Sequence, residues 1–242
     1  MFFWRERTGP IDWGFTGRAD GVSAAPYASL NLGGHVGDDP AAVEENRARL
    51  AGWLGRSRDE LVFMNQCHGT EVLHVDGAWP TGSPPPPADG VVTNTRGLAL
   101  AVLVADCTPV LLADPAAGVI GAVHAGRPGM TAGIIDRAVT VMREAGAEQL
   151  VAAVGPSVCG RCYEVPEDMR AVAAEVSPES CAVSWSGTPA IDVASGVVSQ
   201  LRANDVAVQW VPGCTRESDR LFSYRRDGQT GRFAGVVQLV SP

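Results

Sequence analysis

The run Leu98 to Ala105 constrains this chain most: eight apolar residues without a polar break, ending at Asp106. A strand with one wet face alternates apolar and polar residues, whereas an unbroken run of this length fits a strand covered on both faces. It is too short for a membrane span or a signal core. Similar runs follow at Val110 to Ala113, Val119 to Val123 and Val151 to Val154. Weaker strand patterns lie at Leu61 to Met64, Val72 to Val75, Val206 to Val211 and Gly235 to Val240.

Amphipathic helical patterns separate these strands. The strongest spans Pro40 to Leu54, with Asp39 as N-cap, Pro40 at the first helical position and Val43, Leu50, Trp53 and Leu54 on one face before Gly55 stops it. Further helices are expected over Gly129 to Ala145, Pro166 to Val176 and Asp192 to Ala203. Alternation of this kind predicts layered α/β architecture. Ala78 to Gly90, with consecutive prolines at Pro84 to Pro87, reads as an extended surface loop. Because the α/β pattern resumes beyond it, residues 1–242 are expected to form a single domain.

The basic residues are all arginine, since no lysine occurs, and the formal net charge is -8. Lysine Schiff-base, Walker-loop and kinase chemistry are therefore excluded. An acidic chain is also repelled by phosphate backbone and anionic membrane, so neither a nucleic-acid nor a membrane partner is expected. The N-terminus turns charged after four residues, which with the short apolar runs predicts a soluble, cytoplasmic protein. Six cysteines in a chain of 242 residues do not form a small disulfide scaffold and leave metal, redox or simple burial as explanations.

The sequence carries no G-x-G-x-x-G, G-x-S-x-G, H-E-x-x-H or Walker loop. Imidazole chemistry must come from four histidines, His35, His68, His74 and His124. His68, Cys107 and His124 lie in or beside loops that follow apolar runs, with Cys107 and His124 expected just past strand ends, where open α/β sheets tend to hold ligands. Two imidazoles and a thiolate make a three-ligand zinc set with an open fourth position. On spacing alone the alternative stands that Cys107 is a small buried thiol and that the histidines satisfy loop carbonyls.

Ordered motifs run along about 200 residues: Ser29-Leu-Asn-Leu-Gly33 with His35-Val-Gly-Asp-Asp-Pro40, Asn46-Arg47, Gln66-Cys-His-Gly69, Ala105-Asp-Cys107, His124-Ala-Gly126, Gly155-Pro156, Tyr163-Glu-Val165, and Phe222-Ser-Tyr-Arg-Arg226 followed by Thr230-Gly-Arg232. In these the chain resembles the YfiH-type laccase-domain family, the bacterial purine nucleoside phosphorylase and polyphenol oxidoreductase relatives. The resemblance implies a layered α/β sandwich with mixed sheets, related to the cytotoxic necrotizing factor catalytic domain. It implies His68, Cys107 and His124 as catalytic metal ligands, with zinc as the cofactor and copper as the alternative. The implied substrates are phosphate and purine nucleosides (adenosine, inosine, guanosine, methylthioadenosine), used in phosphorolysis or, for adenosine, in hydrolytic deamination. Copper-dependent polyphenol oxidation is a rival, though four histidines are too few for a full multicopper site. Editing of a nucleotide-sugar amino-acid conjugate in peptidoglycan precursor metabolism is another. The family's usual Trp-Arg-Gly after His-Ala-Gly is replaced here by Arg127-Pro128-Gly129.

Candidate substrate-binding residues are Asn31, His35, Arg47, Arg127, Arg225 and Arg226, the last two as a phosphate fork in a late loop. His35 serves equally as a residue shaping the loop into the Pro40 helix, and a solvated charge run is the plain alternative for Arg225 and Arg226. His74 reads as a half-exposed strand residue. Cys159-Gly-Arg-Cys162 has no second Cys-x-x-Cys and no following histidine pair, so it is read as buried or adventitiously redox-active cysteine with no role in turnover.

Overall fold

Six residues of the run, Ala99–Val104, lie buried in one strand of the computed structural model, which describes residues 1–79 and 84–240, while Ala105 lies beyond the strand and is half-buried. In chain order the strands are β1 (Phe2–Thr8), β2 (Ile11–Thr16), β3 (Leu61–Val62), β4 (Val72–His74), β5 (Gly90–Thr93), β6 (Ala99–Val104), β7 (Thr108–Asp114), β8 (Val119–Ala125), β9 (Val151–Val154), β10 (Cys181–Val183), β11 (Pro189–Ile191), β12 (Ala207–Trp210) and β13 (Phe233–Leu239). The α-helices are α1 (Pro40–Trp53), α2 (Arg127–Ala132), α3 (Ile134–Glu144), α4 (Glu167–Val176), α5 (Val193–Ala203) and α6 (Tyr224–Asp227).

Among the described residues β10 and β11 form a separate antiparallel pair, and the other strands form two mixed sheets. One has the order β1-β2-β13-β6-β3, antiparallel except for β6 with β3. The other has the order β12-β9-β7-β8-β5-β4, antiparallel in its centre and parallel in the pairs at its two edges. Side-chain alternation explains why the runs are apolar throughout. Leu100, Val102 and Val104 of β6 meet Leu111 of β7 and Ile120 and Ala122 of β8 between the sheets, together with Phe15 and Phe233. Ala99, Ala101 and Leu103 face the other way, onto Leu50 and Leu54 of α1 and its C-cap. Val119 and Val123 of β8 pack under Ile135, Val139 and Met142 of α3 and Val197 and Leu201 of α5. The order of layers is helix, sheet, sheet, helices, and each fully buried large side chain contributes about 1.5–3 kcal/mol.

The expected α1 forms with its cap intact, Asp39 accepting from the Ala41 N–H at 3.0 Å. The helix expected over Gly129 to Ala145 is instead two, because Gly133 takes a left-handed φ of 89° that ends α2 and starts α3 at a new angle. The pair β1 and β2 was not expected. β1, at the sheet edge, has three apolar residues, Phe2 to Trp4, followed by three charged ones, Arg5 to Arg7, and β2 hides Asp12, held by Arg5 through Nε–Oδ1 and Nη2–Oδ2 contacts of 2.9 and 2.6 Å. The loop expected over Ala78 to Gly90 includes residues 80–83, which lie outside the described residues, and it gives way to β5 at Gly90. His74 closes β4, partly exposed as expected. Among the described residues no helix is long and apolar enough to cross a membrane.

Candidate metal centre and substrate pocket

Strands β7 and β8 run further than the apolar pattern suggested, to Thr108 at the start of one and Ala125 at the end of the other. His124 therefore sits inside β8 and Cys107 directly ahead of β7, rather than both past strand ends. The register explains how they meet: Pro109 pairs with His124, and Cys107, two residues earlier, projects from the same face as Pro109. That face carries Leu111, Ile120 and Ala122 into the space between the sheets.

His68 completes the group from the loop after β3. Its Nε2 is 3.6 Å from Cys107 Sγ, and its ring meets that of His124 edge-on with centroids 4.7 Å apart. One ligand atom from each of the three lies within 4.8 Å of the others. His68 has a left-handed φ of 61°, unusual for a residue with a side chain. The glycine at 126 is required by this closeness. A Cβ there would stand 2.6 Å from His68 Cδ2 and 3.3 Å from Cys107 Sγ.

Asp89, which ends the loop before β5 and is fully buried, organises the triad. Its Oδ1 accepts from His124 Nδ1 at 2.7 Å and from the His68 N–H at 2.9 Å, while Oδ2 accepts from the N–H groups of Cys67 and Gly69 at 3.2 and 2.6 Å. Burial opposes its ionisation, but the bonds from His124, Cys67 and Gly69 hold it well below the usual carboxylate range. With Nδ1 committed to Asp89, His124 turns Nε2 toward the other donors. Burial likewise disfavours a thiolate at Cys107, yet His124 and His68 outweigh it and bring the thiol down to about 6. His124 is raised to about 9 against the same burial by Cys107 and Asp89. A thiolate and two imidazoles oriented in this way suit a thiophilic divalent metal, with three protein donors leaving a tetrahedral position open.

A cavity of about 370 Å³ opens on the triad. Leu103, Val104, Val158 and Tyr163 give it apolar walls, and His35, Arg127, Arg225 and Arg232 bring cationic or imidazole groups to it. Burial and the nearby charges of Arg232, Arg47 and His124 push His35 down, which favours its neutral form. Arg225 stacks over Tyr163 with its guanidinium carbon 4.7 Å from the ring centre, and donates to the Glu164 carbonyl at 3.2 Å. The Arg225 and Arg226 segment is the short helix α6 rather than a loop. Asp106 pins it, its carboxylate accepting from the Arg225 N–H at 2.6 Å and from the Ser223 hydroxyl at 2.7 Å.

Three of the six residues expected to bind substrate do not line this cavity. Asn31 is buried, with its carboxamide bonded to Gly33, Asp38 and the Arg232 N–H. Arg47 donates to the Leu32 carbonyl and Glu44 and lies 4.4 Å over the ring of Phe63. Arg226 donates to the carbonyls of Thr215, Ser218 and Leu221 and pairs with Asp227. Asp89, Asp106 and Tyr163 were not among the candidates. Asp106 directly precedes Cys107, a signal the sequence offers, whereas Asp89 is far along the chain from all three ligand candidates and only the fold brings it to them. The expectation that Cys159 and Cys162 lack partners is also overturned, because Cys214 and Glu217 fold against them.

The family model described as multi-copper polyphenol oxidoreductase laccase matches residues 12–240. A purine nucleoside phosphorylase of Streptomyces griseus is 56% identical over 235 residues, covering 96% of each chain. The purine nucleoside phosphorylase YfiH of Shigella flexneri is 39% identical over 228 residues, covering 92% of this chain and 91% of its own. Among solved structures, YlmD from Geobacillus stearothermophilus superposes with a TM-score of 0.86 at 31% identity over 99% of both chains. A Neisseria meningitidis protein does so with a TM-score of 0.87 at 33% identity, also over 99% of both.

Proposed function

This chain belongs to the multi-copper polyphenol oxidoreductase laccase family, and from that premise we propose that it cleaves purine nucleosides with inorganic phosphate. The observation that carries the reading is the convergence of three arginines and the His68, Cys107 and His124 triad on one cavity of nucleoside size. The relatives named purine nucleoside phosphorylase support the substrate class.

In this reading Arg225, Arg127 and Arg232 hold the phosphate dianion by charge-assisted hydrogen bonds. Tyr163 and the apolar wall of Leu103, Val104 and Val158 take the purine face, and neutral His35 hydrogen-bonds the ribose or base. A phosphate oxygen forms the new bond to C1′ as the C1′–N9 bond breaks; the electron pair leaves on the purine, which takes up a proton, and ribose 1-phosphate remains. His68, Cys107 and His124 hold the metal, for which zinc fits the thiolate and imidazole donors. When bound, such an ion supplies Lewis-acid polarisation. Residues 1–242 act as one domain, a reading supported by a pocket that draws Leu103 and Val104 from one sheet and His124 from the other.

A second reaction, hydrolytic deamination of adenosine, is favoured by the donor count, because three protein ligands are the composition of catalytic rather than structural zinc sites. The test is to assay the metal-analysed protein on inosine and adenosine with and without phosphate. Purine release that requires phosphate supports phosphorolysis, and ammonia released without phosphate supports deamination. Neither product, with oxidation of a phenol by a copper-loaded protein, would overturn both.

A further inference from the structure

Cys159, Cys162, Cys214 and Glu217 place one sulfur or carboxylate oxygen each within 4.8 Å of one another, and the mechanism above uses none of them. The pattern in sequence is Cys159-x-x-Cys162 followed far along the chain by Cys214-x-x-Glu217. A carboxylate thus stands where a second Cys-x-x-Cys would have its last thiol, which hides the pairing from a search for cysteine alone.

The fold builds the group from two matched exits. β9 and β12 are parallel neighbours with Val154 opposite Trp210, so the chain leaves both strands at the same end of the sheet. The two exits stay paired beyond the strands: the Ser157 N–H donates to the Gly213 carbonyl at 3.2 Å, and the Thr215 N–H to the Ser157 carbonyl at 3.1 Å. Cys159 then turns tightly, its carbonyl accepting from the N–H groups of Cys162 and Tyr163 at 2.9 and 3.1 Å. The Cys159 N–H points to Cys214 Sγ at 3.5 Å, and Cys162 Sγ lies 3.3 Å from Glu217 Oε1, which also accepts from Trp185 Nε1 at 3.0 Å. Gly160 lets this turn approach the rest of the fold, since a Cβ there would stand 2.8 Å from Cβ atoms of both Ala182 and Asp192.

We propose that these four side chains form a second metal site, a closed Cys₃Glu set for a zinc-class divalent ion. Four protein donors leave no position for substrate, so the role is structural. Thiolate softness selects a zinc-class ion over magnesium or calcium. Its position gives the role a consequence: Tyr163, the cavity wall under Arg225, directly follows Cys162, and Thr215, directly after Cys214, donates to Asp106, which pins α6. The ion therefore clamps the wall of the cavity without touching substrate. This inference does not depend on which reaction the cavity supports.

Zinc(II) and cobalt(II) are the probes, used on reduced, metal-free protein and on its Cys107→Ser variant, which removes the triad thiolate. Zinc-loaded parent should bind two ions per chain and leave only Cys67 and Cys181 open to a thiol reagent. Cys107→Ser should still bind one ion, protect Cys159, Cys162 and Cys214, and show thiolate charge-transfer absorption with cobalt. Glu217→Gln in that background should weaken zinc about tenfold or more while far-ultraviolet circular dichroism is kept. Zinc that leaves these three thiols reactive would overturn the proposal. So would a mass two hydrogen atoms light in protein purified without reductant, with the loss mapped to a disulfide within the cluster. Failure of the phosphorolysis assay with this stoichiometry intact would count against the proposed reaction alone.

Discussion

Asp89 and His124 are joined by a 2.7 Å hydrogen bond between two buried side chains, and the same carboxylate oxygen accepts the His68 N–H at 2.9 Å. One residue thus fixes the ring of one metal-ligand candidate and the backbone of another. Because the carboxylate faces only donors, Asp89→Asn would turn an amide N–H₂ toward N–H groups and remove the charge that orients His124. The expected result is a fall in zinc affinity of about 10–100-fold, read by competition with a chelator. Unchanged affinity would show that Asp89 only braces the loop.

Gly126 tests the closeness of the triad from the other side. In Gly126→Ala the new methyl must displace the His68 ring, since the two carbons would otherwise stand 2.6 Å apart. Zinc should bind about tenfold more weakly, with a stability loss of about 1–3 kcal/mol from overpacking. Retention of parental affinity would mean that His68 moves freely and contributes little.

The layers of the fold were legible because their signals are local. Asp39 and Pro40 announce α1, and the run from Leu98 announces a strand covered on both faces. The β1–β2 pair was not, because Arg5 with Asp12 looks like surface charge until the strands are aligned. His68, Cys107 and His124 stood out as residue types that the resemblance arranged into a set. Register and packing then decided the rest. Nothing in the spacing distinguishes Arg225, which lines the cavity, from Arg226, which is bonded to carbonyls. Likewise only the parallel pairing of β9 with β12 brings Cys214 and Glu217 to Cys159.

That difference between neighbouring arginines is measurable. Arg225→Ala removes a cationic group from the cavity and should raise the phosphate KM about tenfold, from charge-assisted bonds of about 1.5–3 kcal/mol each. Arg226→Ala removes donors to three carbonyls and should lower the thermal midpoint while moving the phosphate KM little. A phosphate titration on inosine and a melting curve for each variant check both. Equal shifts in KM would mean that α6 responds as one unit.

Asp114 predicts how stability depends on pH well away from the metal centre. It is the buried last residue of β7, and its Oδ1 accepts from the N–H groups of Ala116 and Ala117 at 2.9 and 3.0 Å. Its Oδ2 accepts from those of Glu148 and Gln149 at 2.7 and 2.8 Å, so one carboxylate ties the β7–β8 turn to the approach to β9. Burial raises its pKa, but the four N–H donors outweigh that and set it below the usual carboxylate value. A folded-state pKa below the unfolded one, about 3.9, gives stability that is fully present above that value and is lost as pH falls through the folded one. Asp114→Asn keeps the shape but turns an N–H₂ toward donors, and should cost about 2–4 kcal/mol at neutral pH. Urea unfolding of metal-free parent and variant should show this gap narrowing as pH is lowered from about 5 to about 3, because only the parent loses a charge-assisted network by protonation. A gap that stays constant across that range would show that the four bonds do not depend on the charge of Asp114.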